Sequence, residues 1–257
     1  MSLLPPRFSE ARVSAAKALS RHMVRLTFEV PFAEELADQI PGSYLKVIAP
    51  QIGDQKPRDI NALNFKPHMR TYTIRKVRPA DSTIDIDFVV HGDQGIAGPW
   101  AAQAKVGDVV YLSRPGALKF ETGAMKAYRF AADMAALPAV AAIVETLDHD
   151  ARGDAFFEIL SDEDRQEISA PPALNIHWIV KEDCAAPSSE LIHAIKETPW
   201  PDGDVGIFFA GEFATARELR TYYKDREVAS KSATYISSYW KIGLVEPEHK
   251  VAKAQAA

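Results

Sequence analysis

Arg70-Thr71-Tyr72-Thr73-Ile74-Arg75 and, past the next strand, His91-Gly92-Asp93-Gln94-Gly95-Ile96-Ala97-Gly98-Pro99-Trp100 are the stretches on which this chain's reading turns. Side chains alternate along an extended backbone, so Arg70 and Tyr72 share one face and Thr73 takes the other. Arg75 falls on the Thr73 face, where it binds a ligand or pairs with a surface carboxylate. The second stretch ends a strand and opens a short helix at Pro99-Trp100. Gly95, Ala97 and Gly98 are small where backbone amides would have to approach a diphosphate. A guanidinium for phosphate, a phenol to lie on a flat ring and a hydroxyl to reach its edge together describe a flavin site.

Three further motifs follow in order: Ala136-Leu137-Pro138-Ala139, Ala210-Gly211-Glu212 and Tyr239-Trp240-Lys241-Ile242-Gly243. With the first two they resemble the siderophore-interacting proteins, FAD-dependent ferric-siderophore reductases within the ferredoxin-NADP reductase superfamily. The resemblance spans roughly residues 10 to 245. It implies FAD as cofactor, with Arg70 on the diphosphate, Tyr72 against the isoalloxazine and ribityl chain, and Thr73 tuning flavin N5. It also implies that His91, Gly95, Ala97, Gly98, Trp100 and Arg75 lie at the cofactor. On the nicotinamide side it points to Asp133, Leu137, Gly211 and Glu212, with NADH or NADPH as donor. Relatives often carry Gly-Asp-Glu-Thr-Ala-Leu-Pro-Ala where this chain has Ala132-Asp133-Met134-Ala135-Ala136-Leu137-Pro138-Ala139, so a glycine and a glutamate are replaced. Lys46, Tyr239, Trp240 and Lys241 are the residues expected to meet a ferric siderophore.

Bulk properties set outer limits. At 257 residues, 47% hydrophobic and 25% charged, the chain is of soluble globular composition and long enough for two domains. No apolar run is long enough to span a bilayer, and the N-terminus lacks a secretory pattern. A cytoplasmic location follows as the expectation. A net charge of −5 argues against general nucleic-acid binding. The single cysteine and the scattered histidines argue against a resident metal, so iron is expected to come and go as a chelate. A monomer is expected.

Periodicity changes along the chain. Val24, Leu26, Phe28 and Val30 alternate, as do Ile84, Ile86, Phe88 and Val90, and apolar runs at 44–49, 70–77 and 109–112 supply further strands. These predict an antiparallel β-barrel over residues 1–122. Residues 123–257 read as strands at 128–132, 154–160, 174–180, 205–210 and 233–240 alternating with helices, the pattern of an α/β parallel sheet. Ligands of such sheets bind beyond the carboxyl ends of the strands. The segments 133–138, 161–165, 181–184 and 211–214 therefore form the expected rim, and the resemblance puts the flavin in the cleft beside it. Ser161-Asp162-Glu163-Asp164-Arg165 and Lys181-Glu182-Asp183 are richer in carboxylates than in cations, which disfavours the extra phosphate of NADPH. Two other readings stand beside the reductase: a flavoprotein taking electrons from ferredoxin, and a flavin-containing siderophore-binding module with little turnover.

Overall fold

The computed structural model describes residues 7–36, 41–51, 54, 56–57, 69–90, 95–123, 125–183, 185–224, 226, 233–244, 248 and 252–254. The chain divides into two compact units, Met1–Leu118 and Lys119–Ala257.

Among the described residues, seven strands build the first unit: β1 (Phe8–Ser20), β2 (Met23–Glu29), β3 (Tyr44–Ile48), β4 (Met69–Thr73), β5 (Lys76–Arg78), β6 (Thr83–Val89) and β7 (Val109–Ser113). A short helix, α1 (Ala97–Ala101), lies between the last two. All neighbours are antiparallel, in the order β4-β3-β7-β1-β2-β6-β5. The strands at the two ends of this order are separated in the chain only by Ile74 and Arg75, a link that reaches roughly 11 Å. The sheet must therefore curl until its ends adjoin. Ile74 N donates to Ser43 O at 2.8 Å and Arg75 N to Asp85 O at 2.9 Å, so consecutive amides bond to opposite sides of the seam.

Alternation along β6 sorts its side chains. Ile84, Ile86 and Phe88 are fully buried in a core shared with Leu26, Phe28, Leu45, Val47, Val110 and Leu112. Asp85 and Asp87 face the other way and meet the residues directly across the ladder. Arg25 grips Asp87 with two bonds of 2.6 and 2.8 Å, and Thr27 Oγ1 donates to Asp85 at 2.8 Å. Such opposed pairs fix strand register.

Two differences from the sequence reading stand out. The run 70–77 is not one strand: it breaks at Ile74–Arg75 into β4 and β5, at opposite ends of the sheet. β1, the longest strand, was not anticipated from its composition. Its Ala- and Lys-rich sequence has weak β propensity, and pairing with both β2 and β7 overrides it.

The second unit contains β8 (Ala127–Ala132), α2 (Leu137–Val144), β9 (Arg152–Ile159), β10 (Ala173–Val180), α3 (Ser189–Glu197), β11 (Val205–Glu212), α4 (Phe213–Tyr223) and β12 (Thr234–Trp240). The five strands are all parallel, ordered β10-β9-β8-β11-β12. The chain steps outward from β8 through β9 to β10, then returns to the other flank of β8. The direction of winding thus reverses between β8 and β11, and at such a switch point the loops leaving the two strands diverge and open a crevice. Those loops begin at Asp133 and Phe213.

Arg129 on β8 is fully buried and joins α3 to the sheet. Its guanidinium donates to the carbonyls of Ile195, Thr198 and Pro199 at 3.1, 3.4 and 2.5 Å, serving groups that the end of a helix leaves unpaired. Asp154 Oδ2 stands 3.4 Å away, and the Phe156 and Trp200 rings lie beside the cation. Arg129→Met would leave these acceptors and one carboxylate without the cation. A loss of roughly 3–5 kcal/mol in urea unfolding of the second unit is expected.

Candidate functional site

Within the first unit, the two opening motifs converge on one ring. Tyr72 packs against Phe88 with ring centroids 4.4 Å apart, and Trp100 meets Phe88 edge-on at 6.1 Å. Ala97 and Trp100 are buried in the core, so they seat α1 on the barrel. Gly98 lets that helix come close: a Cβ there would stand 2.8 Å from Val89 O. Gly95 is exposed just ahead of α1, whose first turn carries no side-chain cap among the described residues. His91 lies outside the described residues.

Arg70 is half-buried on β4. Its Nη1 donates to Met69 O at 3.0 Å, and it makes no ion pair among the described residues. Thr73 is buried. Across the ladder, Lys46 on β3 faces Thr71, and its Nζ bonds to the Thr71 hydroxyl. Arg75 lies past the strand break, so the alternation that put it with Thr73 does not reach it. Its Nε stands 3.9 Å from the buried Asp87, beside the Arg25 pair.

In the second unit, four strand ends bring their groups to one rim. Asp133 leaves β8 and is buried. Its Oδ1 accepts from the amides of Ala135 and Ala136 at 2.9 and 3.3 Å, and its Oδ2 accepts the Trp240 indole N–H at 2.6 Å. Glu212, at the end of β11, caps α4 through the amides of Ala214 and Thr215, and its Oε1 lies 3.4 Å from the Ile242 amide. Lys241 Nζ sits 4.6 Å from the centre of the Phe213 ring. Leu137 is buried in the first turn of α2. Asp133, Gly211, Glu212, Trp240 and Lys241 are thus neighbours. Tyr239 shares β12 with Trp240.

Sequence reading missed Glu158. It stands in the apolar run of β9, and a carboxylate among Ala155, Phe156, Phe157 and Ile159 was the available signal. Its Oε2 is buried with no hydrogen-bond partner among the described residues. Burial pushes its pKa above the ordinary carboxylate range, opposed by the Ser188 hydroxyl and Lys181 and reinforced by Glu190 and Glu212. Asp133 is raised further, to about 7. Burial is the main cause and the Glu158 charge adds to it, while the Trp240 indole and the two amides oppose.

Comparison with known proteins follows this division. Residues 12–119 match the siderophore-interacting FAD-binding domain, and residues 125–243 match the siderophore-interacting protein family. The chain is 30% identical to ferric vibriobactin reductase of Vibrio cholerae, over 90% of this chain and 88% of that one. The chain belongs to the siderophore-interacting protein family. The crystal structure of the siderophore-interacting protein SipS from Aeromonas hydrophila superposes with a TM-score of 0.82 at 28% identity, covering 97% of this chain and 98% of the other. Ferredoxin-NADP+ reductase from Plasmodium falciparum shares the fold, with a TM-score of 0.66 at 12% identity over 90% and 95% of the two chains.

In this siderophore-interacting protein, the cations of segments 161–165 and 181–183 are engaged within their own loops. Arg165 pairs with Asp162 at 2.7 Å, and Lys181 Nζ bonds to the carbonyls of Asp183 and Ala186.

The raised pKa of Asp133 carries a sign for stability. Between its ordinary value of 3.8 and about 7, the folded chain holds a proton that the unfolded chain has released. Stability then falls as pH rises through that window and levels above it. Asp133→Asn should flatten this slope, so the variant gains on wild type between about pH 5 and about pH 8 in urea unfolding. A difference between the two that stays constant across that range would contradict the assignment.

Proposed function

We propose that this chain is a cytoplasmic, FAD-dependent ferric-siderophore reductase that takes electrons from a nicotinamide cofactor and delivers them to Fe(III), releasing Fe(II). The observation that carries the reading is Arg70. A half-buried guanidinium bonded only to a neighbouring carbonyl, with no ion pair among the described residues, fits a phosphate acceptor. Tyr72, in the same strand as Arg70, is anchored on Phe88, the hydroxyl of Thr73 lies one residue on, and α1 begins without a side-chain cap among the described residues. These groups fit FAD: Arg70 and the backbone around Gly95, Ala97 and Gly98 would hold its diphosphate, and Tyr72 and Thr73 its ring system. Arg75 and His91 complete the cofactor set in this reading.

When bound, FAD supplies the capacity to accept a hydride and return its two electrons singly, enough for two Fe(III) ions. The protein's own part is binding, orientation and charge. Thr73 would bond the edge of the ring that receives hydride. Lys46 and Lys241 provide a local positive field for anionic chelates in a protein that is negative overall. Oxygen-donor siderophores hold hard Fe(III) far better than Fe(II), so reduction is itself the release step. No protein acid or base is required.

On the donor side, Asp133, Leu137, Gly211 and Glu212 form the rim that a nicotinamide would approach. The engaged states of Arg165 and Lys181 favour NADH at least as well as NADPH. One observation favours ferredoxin instead: the amides of Ala135 and Ala136, just ahead of α2, are already bonded to the Asp133 carboxylate, and relatives' glycine and glutamate are absent around it.

Purified protein should be yellow and release FAD, not FMN, on chromatography. Arg70→Ala should weaken FAD binding by about 1.5–3 kcal/mol in a fluorescence titration. Full occupancy in that variant would remove Arg70 from the site. Stopped-flow reduction of the flavin by NADH should be at least as fast as by NADPH. A tenfold preference for NADPH, ~1.4 kcal/mol, would overturn that donor assignment. Reduction by ferredoxin alone would select the second reading.

A further inference from the structure

The Trp240 indole is tied across β11 to the loop that leaves β8, through its bond to Asp133 Oδ2. Three features of the chain aim it there. β11 and β12 keep regular register from Ile207 opposite Thr234 to Gly211 opposite Ser238, and then Glu212 faces Trp240. Tyr239 is therefore the extra residue of a β-bulge. A one-residue insertion moves every later side chain to the other face of the sheet, so the bulge decides which way Trp240 points. Gly211 leaves room for the acceptor, since a Cβ at that position would stand 2.6 Å from Asp133 Oδ2. Finally, Asp133 Oδ1 is held by the amides of Ala135 and Ala136, which fixes the rotation of the carboxylate and presents Oδ2 to the indole.

We propose that Asp133 is a positioning residue: it sets the orientation in which Trp240 meets the ferric chelate at the carboxyl-end rim of the parallel sheet. The proposal rests on the reading of Tyr239, Trp240 and Lys241 as the substrate side of a reductase. A buried carboxylate is costly unless something needs it. An apolar residue at 133 would spare that cost, but the indole would lose its acceptor and the bulged segment its tie to β8.

The surroundings of Asp133 make the tie sensitive to pH. Glu158 faces it from β9 as a like charge. α2 contributes backbone amides and no titratable side chain. From β11, the Glu212 carboxylate is engaged by the Ala214, Thr215 and Ile242 amides. From β12 and its exit come the Trp240 indole and Lys241, the latter against Phe213. With its pKa raised to about 7, Asp133 loses its charge, and with it the stronger acceptor, as pH falls through neutrality.

The test uses the full FAD-loaded chain with ¹⁵N-labelled tryptophan. The Trp240 indole resonance is identified by its loss in Trp240→Phe. In wild type it should exchange slowly with solvent and shift with a midpoint near pH 7. Asp133→Asn should abolish that shift, and Asp133→Ala should speed exchange. Should the alanine variant not fold, Gly211→Ala, which pushes on the carboxylate, should perturb the same resonance. A resonance indifferent to these changes overturns the positioning role. In parallel, photoreduced protein is mixed with ferric acetohydroxamate in a stopped-flow instrument. Asp133→Asn should raise the half-saturating concentration about tenfold, ~1.4 kcal/mol, at an unchanged limiting rate. An unchanged half-saturation with a responsive resonance overturns the link to the chelate. If reduced wild-type protein passes no electrons to the chelate, the reductase reading fails instead, while the resonance result stands by itself.

Discussion

The closure of the first unit depends on two consecutive backbone amides. An open seven-stranded antiparallel sheet would leave two rows of unpaired N–H and C=O groups, which invite non-native pairing. Here the chain itself crosses from one edge to the other, and the amides of Ile74 and Arg75 bond to Ser43 and Asp85. Once that seam is closed, Tyr72 must come against the inner strands, where Phe88 receives it. The Arg70-x-Tyr72-Thr73 signature therefore sits immediately before the point at which the barrel shuts. Closure carries Tyr72 onto Phe88, while the Arg70 guanidinium bonds the Met69 carbonyl and makes no ion pair among the described residues.

In the second unit the governing constraint is the cost of burying charge. Asp133 and Glu158 both sit where desolvation disfavours their ionised forms, and the Glu158 charge adds to the cost at Asp133. What offsets this for Asp133 is a set of three donors, two amides and one indole. Glu158 has the Ser188 hydroxyl and leaves one oxygen unmatched among the described residues. Buried Arg129 shows the opposite outcome, since three carbonyls and Asp154 surround it. The unit thus keeps its multiply bonded cation deep under α3 and its costly carboxylates at the rim, where ligands of a parallel sheet bind.

Legibility followed the physical origin of each feature. β6 was plain because Ile84, Ile86 and Phe88 alternate with polar residues, and α4 because Ala216, Leu219 and Tyr223 fall on one helical face. β1 was hidden, because its strand state comes from two partners that the sequence does not display. The break after Thr73 was hidden for a related reason: Ile74 and Arg75 have strand-like side chains, and only closure of the barrel separates β4 from β5. At the rim, the motifs around Asp133, Gly211 and Trp240 were legible one at a time. Their convergence was not, because it depends on the strand order β8-β11-β12 and on a bulge at Tyr239.

That convergence also bears on how the chain departs from its family at 132 and 134. Replacing a glycine and a glutamate while keeping Asp133 and Leu137-Pro138 preserves what the fold needs here: a carboxylate bonded to the Ala135 and Ala136 amides just ahead of α2, and a proline in the first turn of that helix. At the other strand end of the switch point, Glu212 caps α4 through the amides of Ala214 and Thr215. Both strand ends are accordingly tied to the backbone by acidic side chains of the chain itself, and one of them also holds the Trp240 indole.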